Sequence, residues 1–429
     1  MAGKAQDRAD LIVIGAGLAG LATTAFAVES GLRTVQISLT AGEMPFASGL
    51  LDLLGIHPME RLSRWQDPWA GITALIHDRP KHPYARLGLE KIRLAWKEFL
   101  DFLQKAGLRY CGWSESNAEL VTCAGTLKIT NHVPETMWPG VVGLKEKRTA
   151  LIVDFEGLND FSAVQFVETI GSHWPDLQAQ RLRFPYPLKG VDRQNVFMAE
   201  ALRSPQVRSR LAEAISPFLK DAELVGMPAI LGLRRPQAVA ADLERQIGVP
   251  VFEIPTMPPS VPGLRLKEAI EQELLRGGAV LVRGRRALKV NSNGRRCISV
   301  VLEAGPSEET LTARGIVLAT GRFLGGGLAA SRSCIRETLM DLPVHQPKKR
   351  QDWHRQHFLD PHGHPVNRAG LEVDDLLRPL ASDGHCAYEN LFVAGSLLAH
   401  QDWVRMKCGA GLAIATAYGA VQAFIDCSR

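Results

Sequence analysis

The stretch "LIVIGAGLAGLATTAFAVESGLRTVQIS" (residues 11–38) decides the fold. Leu11–Ile14 is a short apolar run with the character of a buried strand. Gly15, Gly17 and Gly20 follow, then a helix of small residues from Leu18 to about Ser30, stopped by Gly31, and a second strand over Arg33–Ser38. A lone G-x-G-x-x-G marks many ordinary turns, but here it follows a strand and opens a helix, the context that dinucleotide binding needs. Gly15 permits the tight turn, Gly17 lets backbone approach a pyrophosphate, and Gly20 lets helix and strand pack closely. From Leu18 onward the helix N-terminus offers free N–H groups and a positive partial charge to phosphates.

The second strand lacks the acid that usually completes such a site. Gln36, Ile37 and Ser38 stand where a carboxylate would accept both ribose hydroxyls of an adenosine half. Ser38 offers one neutral hydrogen bond, Glu29 lies back in the helix, and Glu43 follows five residues later in a loop. Arg33 is at the wrong end of the strand to meet the 2′-phosphate of NADP. The adenosine end of the site is therefore loosely held or absent.

Two distant segments return to the same sheet. "IVLATG" (316–321) is an apolar strand that ends on Thr320 and Gly321. "LFVAGS" (391–396) ends on Gly395 and Ser396, and "CGAGLAIA" (408–415) opens a helix at Gly409, Ala410 and Gly411. A helix starting there would aim its N-terminus at N1 and the C2 carbonyl of a flavin, where the reduced ring carries negative charge. Three co-ordinated returns indicate a flavin in an α/β, Rossmann-like domain assembled from discontinuous segments.

Composition narrows the rest. The chain has 429 residues, 46% hydrophobic and 22% charged, as expected of a folded globular protein. A net charge of +5 (50 basic against 45 acidic residues) is too mild to imply nucleic acid, and the runs "RGRR" (283–286) and "KKR" (348–350) read as solvated surface. Seven scattered cysteines without a C-x-x-C pair suit a reducing compartment and supply no iron–sulfur ligand spacing, so any cluster sits on another chain. Leu11–Val28 and Cys408–Ile425 are uncharged and near the lower length of a membrane span, but their glycines fall where a strand–turn–helix puts them, and both read as buried elements. The start "MAGKAQDRAD" is too polar and acidic for a processed signal peptide.

Several blocks, in order along the chain, carry a family resemblance: "FASGLLDLLG" (46–55), "GTLK" (125–128), "PTMPPSVPGLRL" (255–266), "LATGRFLGGGL" (318–328), "GLEVDDLLRPL" (370–380) and "NLFVAGSLLA" (390–399). The chain resembles the B subunits of the anaerobic glycerol-3-phosphate dehydrogenases, and its terminal blocks are similar to flavoproteins of the fumarate-reductase type. The resemblance implies a flavin-bearing cytoplasmic subunit paired with the catalytic A subunit. Electrons from glycerol 3-phosphate would pass through the membrane-attached iron–sulfur C subunit to quinone, at the cytoplasmic face of the inner membrane. It implies FMN, which fits the missing ribose carboxylate, whereas the pyrophosphate fingerprint argues for FAD. Ser48 and Gly49 join the expected cofactor-binding set. Arg265, in a stiff Pro/Gly loop, and Arg378 are the expected catalytic cations; for Arg265 a structural role tying cap to sheet is equally open.

Other constellations carry less. His354, His357, His362 and His364 in "WHRQHFLDPHGH" could form a zinc cluster by spacing alone, but they read as surface histidines and no metal site is assigned. Asp374 and Asp375 form a possible carboxylate pair, and Ser48 lacks the nucleophile-elbow pattern. The expected organisation is a flavin-binding domain over 1–80, an inserted α+β cap over 81–254, flavin domain again over 255–335, a loop insertion over 336–364, and the C-terminal flavin segment over 365–429. Within the cap stretch an amphipathic helix is expected from Tyr84 to about Gly107. Three functions remain: a quinone-linked glycerol-3-phosphate dehydrogenase subunit, an electron-transfer or structural flavin subunit with substrate chemistry on its partner, and a self-sufficient flavin oxidoreductase.

Overall fold

The computed structural model describes residues 9–186, 194–305 and 307–428; the polar start read above as unlike a signal peptide lies mostly outside them. The chain divides into two compact units, one of Met1–Glu43, Asp52–Ala106 and Ile270–Arg429, the other of Met44–Leu51 and Gly107–Ala269.

Strand β1 (Ala9–Ile14), helix α1 (Leu18–Glu29) and strand β2 (Thr34–Ser38) open the first unit as the glycine pattern requires. Among the described residues its sheet has seven strands. Val280–Arg283, β2, β1 and the long strand Ser307–Leu318 run parallel, and Leu391–Val393 adds a further parallel neighbour. The first half of Ser307–Leu318 instead pairs antiparallel with Arg296–Ala304, which pairs with Ala287–Asn293. That outer hairpin turns at Gly294 (φ +56°), as the Asn-Gly dipeptide predicts. Register fixes what matters for function: Ile14 lies beside Leu318, and Leu318 beside Val393. The three strands therefore end together, and the loops after them share one edge of the sheet.

The central strands are buried on both faces, with Leu11, Ile12, Val13, Ile316, Val317 and Leu318 fully enclosed. On one face lies the closing helix Gly409–Ser428, packed against α1. Its Tyr418 meets Phe26 edge-on (5.2 Å between centroids) and its Phe424 meets Phe392 (6.4 Å). The helix is apolar and long enough to cross a membrane, yet most of it is buried inside the unit.

The helices α2 (Pro68–Asp78), α3 (Pro83–Leu87) and α4 (Leu89–Lys105) also belong to this unit. The single helix expected from Tyr84 breaks at Gly88, whose φ of +75° no helix admits. On α4, Ile92, Ala95, Trp96, Phe99, Phe102 and Leu103 recur three and four apart and are buried, with the Phe99 ring 6.2 Å from Phe26. Each such large apolar side chain contributes about 2–3 kcal/mol by leaving water. That burial holds α4 to the flavin-type unit, so the insertion begins at Gly107 rather than at 81. The segment 336–364 is more than a loop: Val344–His345 pairs with Gly370–Leu371, and the Trp353 side chain is buried.

The second unit is built on a parallel sheet in the order Val251–Ile254, Leu224–Pro228, Ala150–Phe155, Leu177–Leu182. Helices Ala163–Ile170, Pro205–Ile215 and Pro236–Ile247 accompany it, and Phe155, Phe166, Trp174, Leu224 and Phe252 anchor its core. These strands and helices alternate along the chain. It runs on to Ala269, past the expected limit at 254, because Arg265 is tied to Glu253 within it.

Candidate functional site

The edge where three strands end carries the fingerprint loop. Gly15 adopts φ +131° and donates its N–H to the Ile37 carbonyl at 2.9 Å. A Cβ there would lie 2.1 Å from the Ala319 carbonyl oxygen, so only glycine fits. Gly17 differs in kind. It caps α1 with ordinary extended backbone (φ −73°, ψ 178°) and no side-chain cap, and a Cβ would meet nothing within 4 Å. The start of this twelve-residue helix thus has empty space beside the Gly17 Cα, with no acidic residue in its first turn. Leu18 begins that turn, and Gly20 lies so close to the Gly15 carbonyl (2.2 Å from its Cβ position) that loop and helix are locked together.

The second return meets this loop directly. A Cβ on Gly15 would also approach the Thr320 nitrogen, and the Thr320 hydroxyl is buried without a hydrogen-bond partner. A buried hydroxyl with nothing to bond costs free energy unless a ligand supplies the bond. The hydroxyl lies against Gly327 (2.4 Å from its Cβ position) and, with the space left at Gly17, offers a donor of the kind that a flavin nucleotide's phosphates and ribityl hydroxyls accept. Ser396 Oγ would lie 3.8 Å from a Cβ on Gly321, bringing the third return to the same place. Gly395 (φ +77°) donates to Thr416 Oγ1 at 2.8 Å and packs on Ala19 of α1.

Arg322 carries no signal in the sequence. Its guanidinium donates to the carbonyls of Ser396 (2.8 Å) and Gln401 (3.1 Å), and burial lowers its pKa to about 10. It pins the third return to the second. At the start of the closing helix, the Gly411 N–H donates to the Asp52 carbonyl (2.8 Å), and a Cβ on Gly411 would strike the Tyr84 hydroxyl at 2.2 Å. Gly411 therefore serves close packing, and so does Gly409, whose Cβ position lies 2.9 Å from the Trp403 ring, while Ala410 is buried.

The missing acid finds a physical explanation. Gln36 is buried in β2 and donates its side-chain amide to the Gly15 carbonyl at 2.8 Å, so this position braces the loop. The Ser38 carbonyl accepts from the Arg285 N–H, just past the strand Val280–Arg283. The loop after β2 folds back: a Cβ on Gly42 would lie 2.5 Å from the Ala16 carbonyl and 2.8 Å from the Gly17 nitrogen. Glu43, remote by sequence distance, follows at once, half-buried and with its carboxyl raised by burial.

The remaining expected residues lie elsewhere. Ser48 and Gly49 belong to the second unit, where the Gly49 carbonyl accepts from the Tyr110 hydroxyl (2.8 Å). Arg265 also lies there, buried, and its expected catalytic role gives way to an internal tie: it donates to both Glu253 oxygens (2.9 and 3.0 Å) and to the Gly232 carbonyl. Burial alone would raise the Glu253 carboxyl, but Arg265 beside it holds it below its usual value. Arg378 is likewise engaged, by Asp374 at 2.8 Å, and Asp375 pairs with Arg86, so the two aspartates are not a catalytic pair.

In the histidine loop the His354 and His364 rings stand 5.3 Å apart between centroids. His362 bonds Asp360, and His364 is shared between the Arg355 N–H and the Phe358 carbonyl. A different group comes together among the described residues, His345, Glu372 and His400, all in the first unit. Its members are 27 and 28 residues apart in sequence, and no local motif announces it.

Residues 10–412 match the FAD binding domain family. Relatives include the B subunit of an anaerobic glycerol-3-phosphate dehydrogenase from Vibrio vulnificus strain YJ016, 29% identical over 96% of this chain and 95% of that protein. The B subunit of a probable anaerobic glycerol-3-phosphate dehydrogenase from Halobacterium salinarum is 30% identical, over 96% of each chain. Among solved structures, a 3-ketosteroid-delta4-(5alpha)-dehydrogenase of Rhodococcus jostii RHA1 is 12% identical with a TM-score of 0.41, covering 100% of this chain and 98% of that one. That likeness is too slight to bear on function.

Proposed function

Since this chain belongs to the FAD binding domain family and, within it, with the B subunits of the anaerobic glycerol-3-phosphate dehydrogenases, we propose that it is the FAD-holding subunit of a quinone-linked dehydrogenase of sn-glycerol 3-phosphate. Flavin binding and an oxidoreductase role follow from the family; the substrate, the acceptor and the assembly are the proposal. FAD, for which the pyrophosphate fingerprint argues, rather than the FMN that the subunit resemblance implies, is the cofactor named by the matching family. The observation that bears most weight is the space left beside the Gly17 Cα at the start of α1; on the adjoining return the buried Thr320 hydroxyl has no partner.

The residues divide the work. Gly17 and the first turn of α1 meet the pyrophosphate with N–H groups and the helix dipole, and Gly15 and Gln36 fix the loop that presents them. Thr320 donates its hydroxyl to the cofactor, while Arg322 keeps Ser396 and Gln401 in place around it. FAD, when bound, supplies the two-electron acceptor for the hydride leaving C2 of the alcohol as the hydroxyl proton departs and the ketone forms. Electrons would then leave through an iron–sulfur partner to quinone, at the cytoplasmic face of the membrane.

One observation favours a second arrangement. Both arginines expected to be catalytic cations are engaged in internal ion pairs, Arg265 with Glu253 and Arg378 with Asp374. That favours a flavin subunit whose substrate is bound by its catalytic partner. Dye-linked oxidation of glycerol 3-phosphate by the chain alone and with that partner decides between them. Turnover by the lone chain supports the first arrangement, and turnover only with the partner supports the second. Failure to retain stoichiometric FAD in either preparation would overturn both.

A further inference from the structure

We propose that His345, Glu372 and His400 form a binding site for a divalent first-row transition ion such as Zn2+, separate in function from the flavin site. One ligand atom from each residue lies within 4.8 Å of the others, with His345 exposed and the other two half-buried. Two imidazoles and one carboxylate, with positions left open, form a donor set suited to such ions.

The backbone brings them together rigidly. His345 lies opposite Gly370 in the short antiparallel pair Val344–His345 and Gly370–Leu371, and Glu372 follows that second strand directly. The Ala399 N–H donates to the Leu371 carbonyl and the His400 N–H to the Arg368 carbonyl, each at 3.0 Å. His400 is thereby held at φ +65°, a conformation that costs a non-glycine residue about 1 kcal/mol and persists only where its surroundings impose it. The His345 and His400 rings stand 4.2 Å apart between centroids.

The distances are close to those of a ligated ion. Bonds of about 2.1 Å set neighbouring ligand atoms roughly 3.0–3.4 Å apart. His400 Nε2 and Glu372 Oε1 are 2.7 Å apart, a hydrogen bond that an ion would replace with little movement. The widest gap needs closing by roughly 1.5 Å, within the reach of the exposed His345 side chain turning about its own bonds. Lys81 Nζ, 3.2 Å from Glu372, is the competitor: its ammonium neutralises the carboxylate in the metal-free protein. Its side chain is 68% exposed and free to swing into solvent.

The test uses the full chain, stripped with chelator and titrated with Zn2+ by calorimetry, then with Co2+ followed by its visible absorption. One ion per chain is expected. His345→Ala and His400→Asn should each weaken binding at least about tenfold through loss of a ligand; asparagine tolerates the left-handed backbone, and circular dichroism checks the fold of both. Lys81→Met should bind more tightly. His362→Ala and His364→Ala should bind like the wild type. Absence of stoichiometric binding, binding indifferent to both first variants, loss on changing the 362–364 loop, or weaker binding in Lys81→Met would each overturn the proposal. FAD content is measured in parallel and should stay unchanged, so failure here leaves the flavin assignment standing on its own result.

Discussion

Gln36 Nε2 donates to the Gly15 carbonyl at 2.8 Å, joining the middle of the second strand to the first glycine of the phosphate loop. An amide, not an acid, is needed there, because only a donor can meet a carbonyl. A glutamate of nearly the same shape would turn an acceptor toward an acceptor in a buried place. Gln36→Glu should therefore lose about 1–3 kcal/mol of stability and weaken FAD retention as the loop relaxes. Urea midpoints and cofactor content measure both, and a variant with wild-type values would show that the bond is idle.

Gly17 and Gly15 predict opposite outcomes two residues apart. Gly17→Val places its side chain where the protein leaves empty space, on backbone that valine adopts readily. Stability should stay within about 1 kcal/mol of wild type, while FAD is lost because the pyrophosphate's approach is filled. Gly15→Ala must drive a methyl into the Ala319 carbonyl on backbone at φ +131°, and should unfold or fail to accumulate. Normal flavin absorbance in purified Gly17→Val would remove this loop from the site.

Legibility follows sequence distance. The β1–α1–β2 opening, both returns and the Asn293-Gly294 hairpin are local patterns of strand, turn and glycine, and they are readable. The domain limits are not, because α4 looks like any amphipathic helix until its phenylalanines are seen to pack beside Phe26. Gln36 reads as a missing acid because a sequence shows residue type and not the carbonyl it faces. Arg322, Glu43 and the His345–Glu372–His400 group depend on backbone brought together from distant segments, which periodicity does not report.

Acid should loosen the first unit through His82. The ring is fully buried, its Nδ1 accepts the Tyr84 N–H to cap α3, and burial depresses its pKa to about 3. The unfolded chain takes up that proton near pH 6.5, so between those values it binds more protons than the folded state, and stability falls as pH falls. From pH 7 to pH 5 the loss from this group is about 2 kcal/mol. His82→Asn keeps a capping acceptor without the titration, and its denaturation midpoint should vary less over the same range. An equal slope in both proteins would exclude His82 as the cause.

Arg265 carries a structural prediction in place of a catalytic one. Its guanidinium and the Glu253 carboxylate are both buried, and Glu253 also accepts the Leu231 N–H (2.7 Å) and the Thr136 hydroxyl. Glu253 stands on the edge strand Val251–Ile254, so one ion pair joins that strand, the Gly232 turn and the helix Val261–Arg276. Arg265→Ala leaves a carboxylate buried without its counter-charge and should cost about 3–5 kcal/mol. Arg265→Lys keeps the charge but cannot meet both carboxylate oxygens and the Gly232 carbonyl in the same plane, so it should be intermediate. The double variant Arg265→Met with Glu253→Leu removes the charge problem and should recover part of the loss, though the Leu231 N–H and Thr136 hydroxyl then lose their acceptor. Stability and activity should fall in parallel across the single variants. A tenfold fall in kcat/KM for Arg265→Lys at unchanged melting temperature would instead return this arginine to the substrate's side.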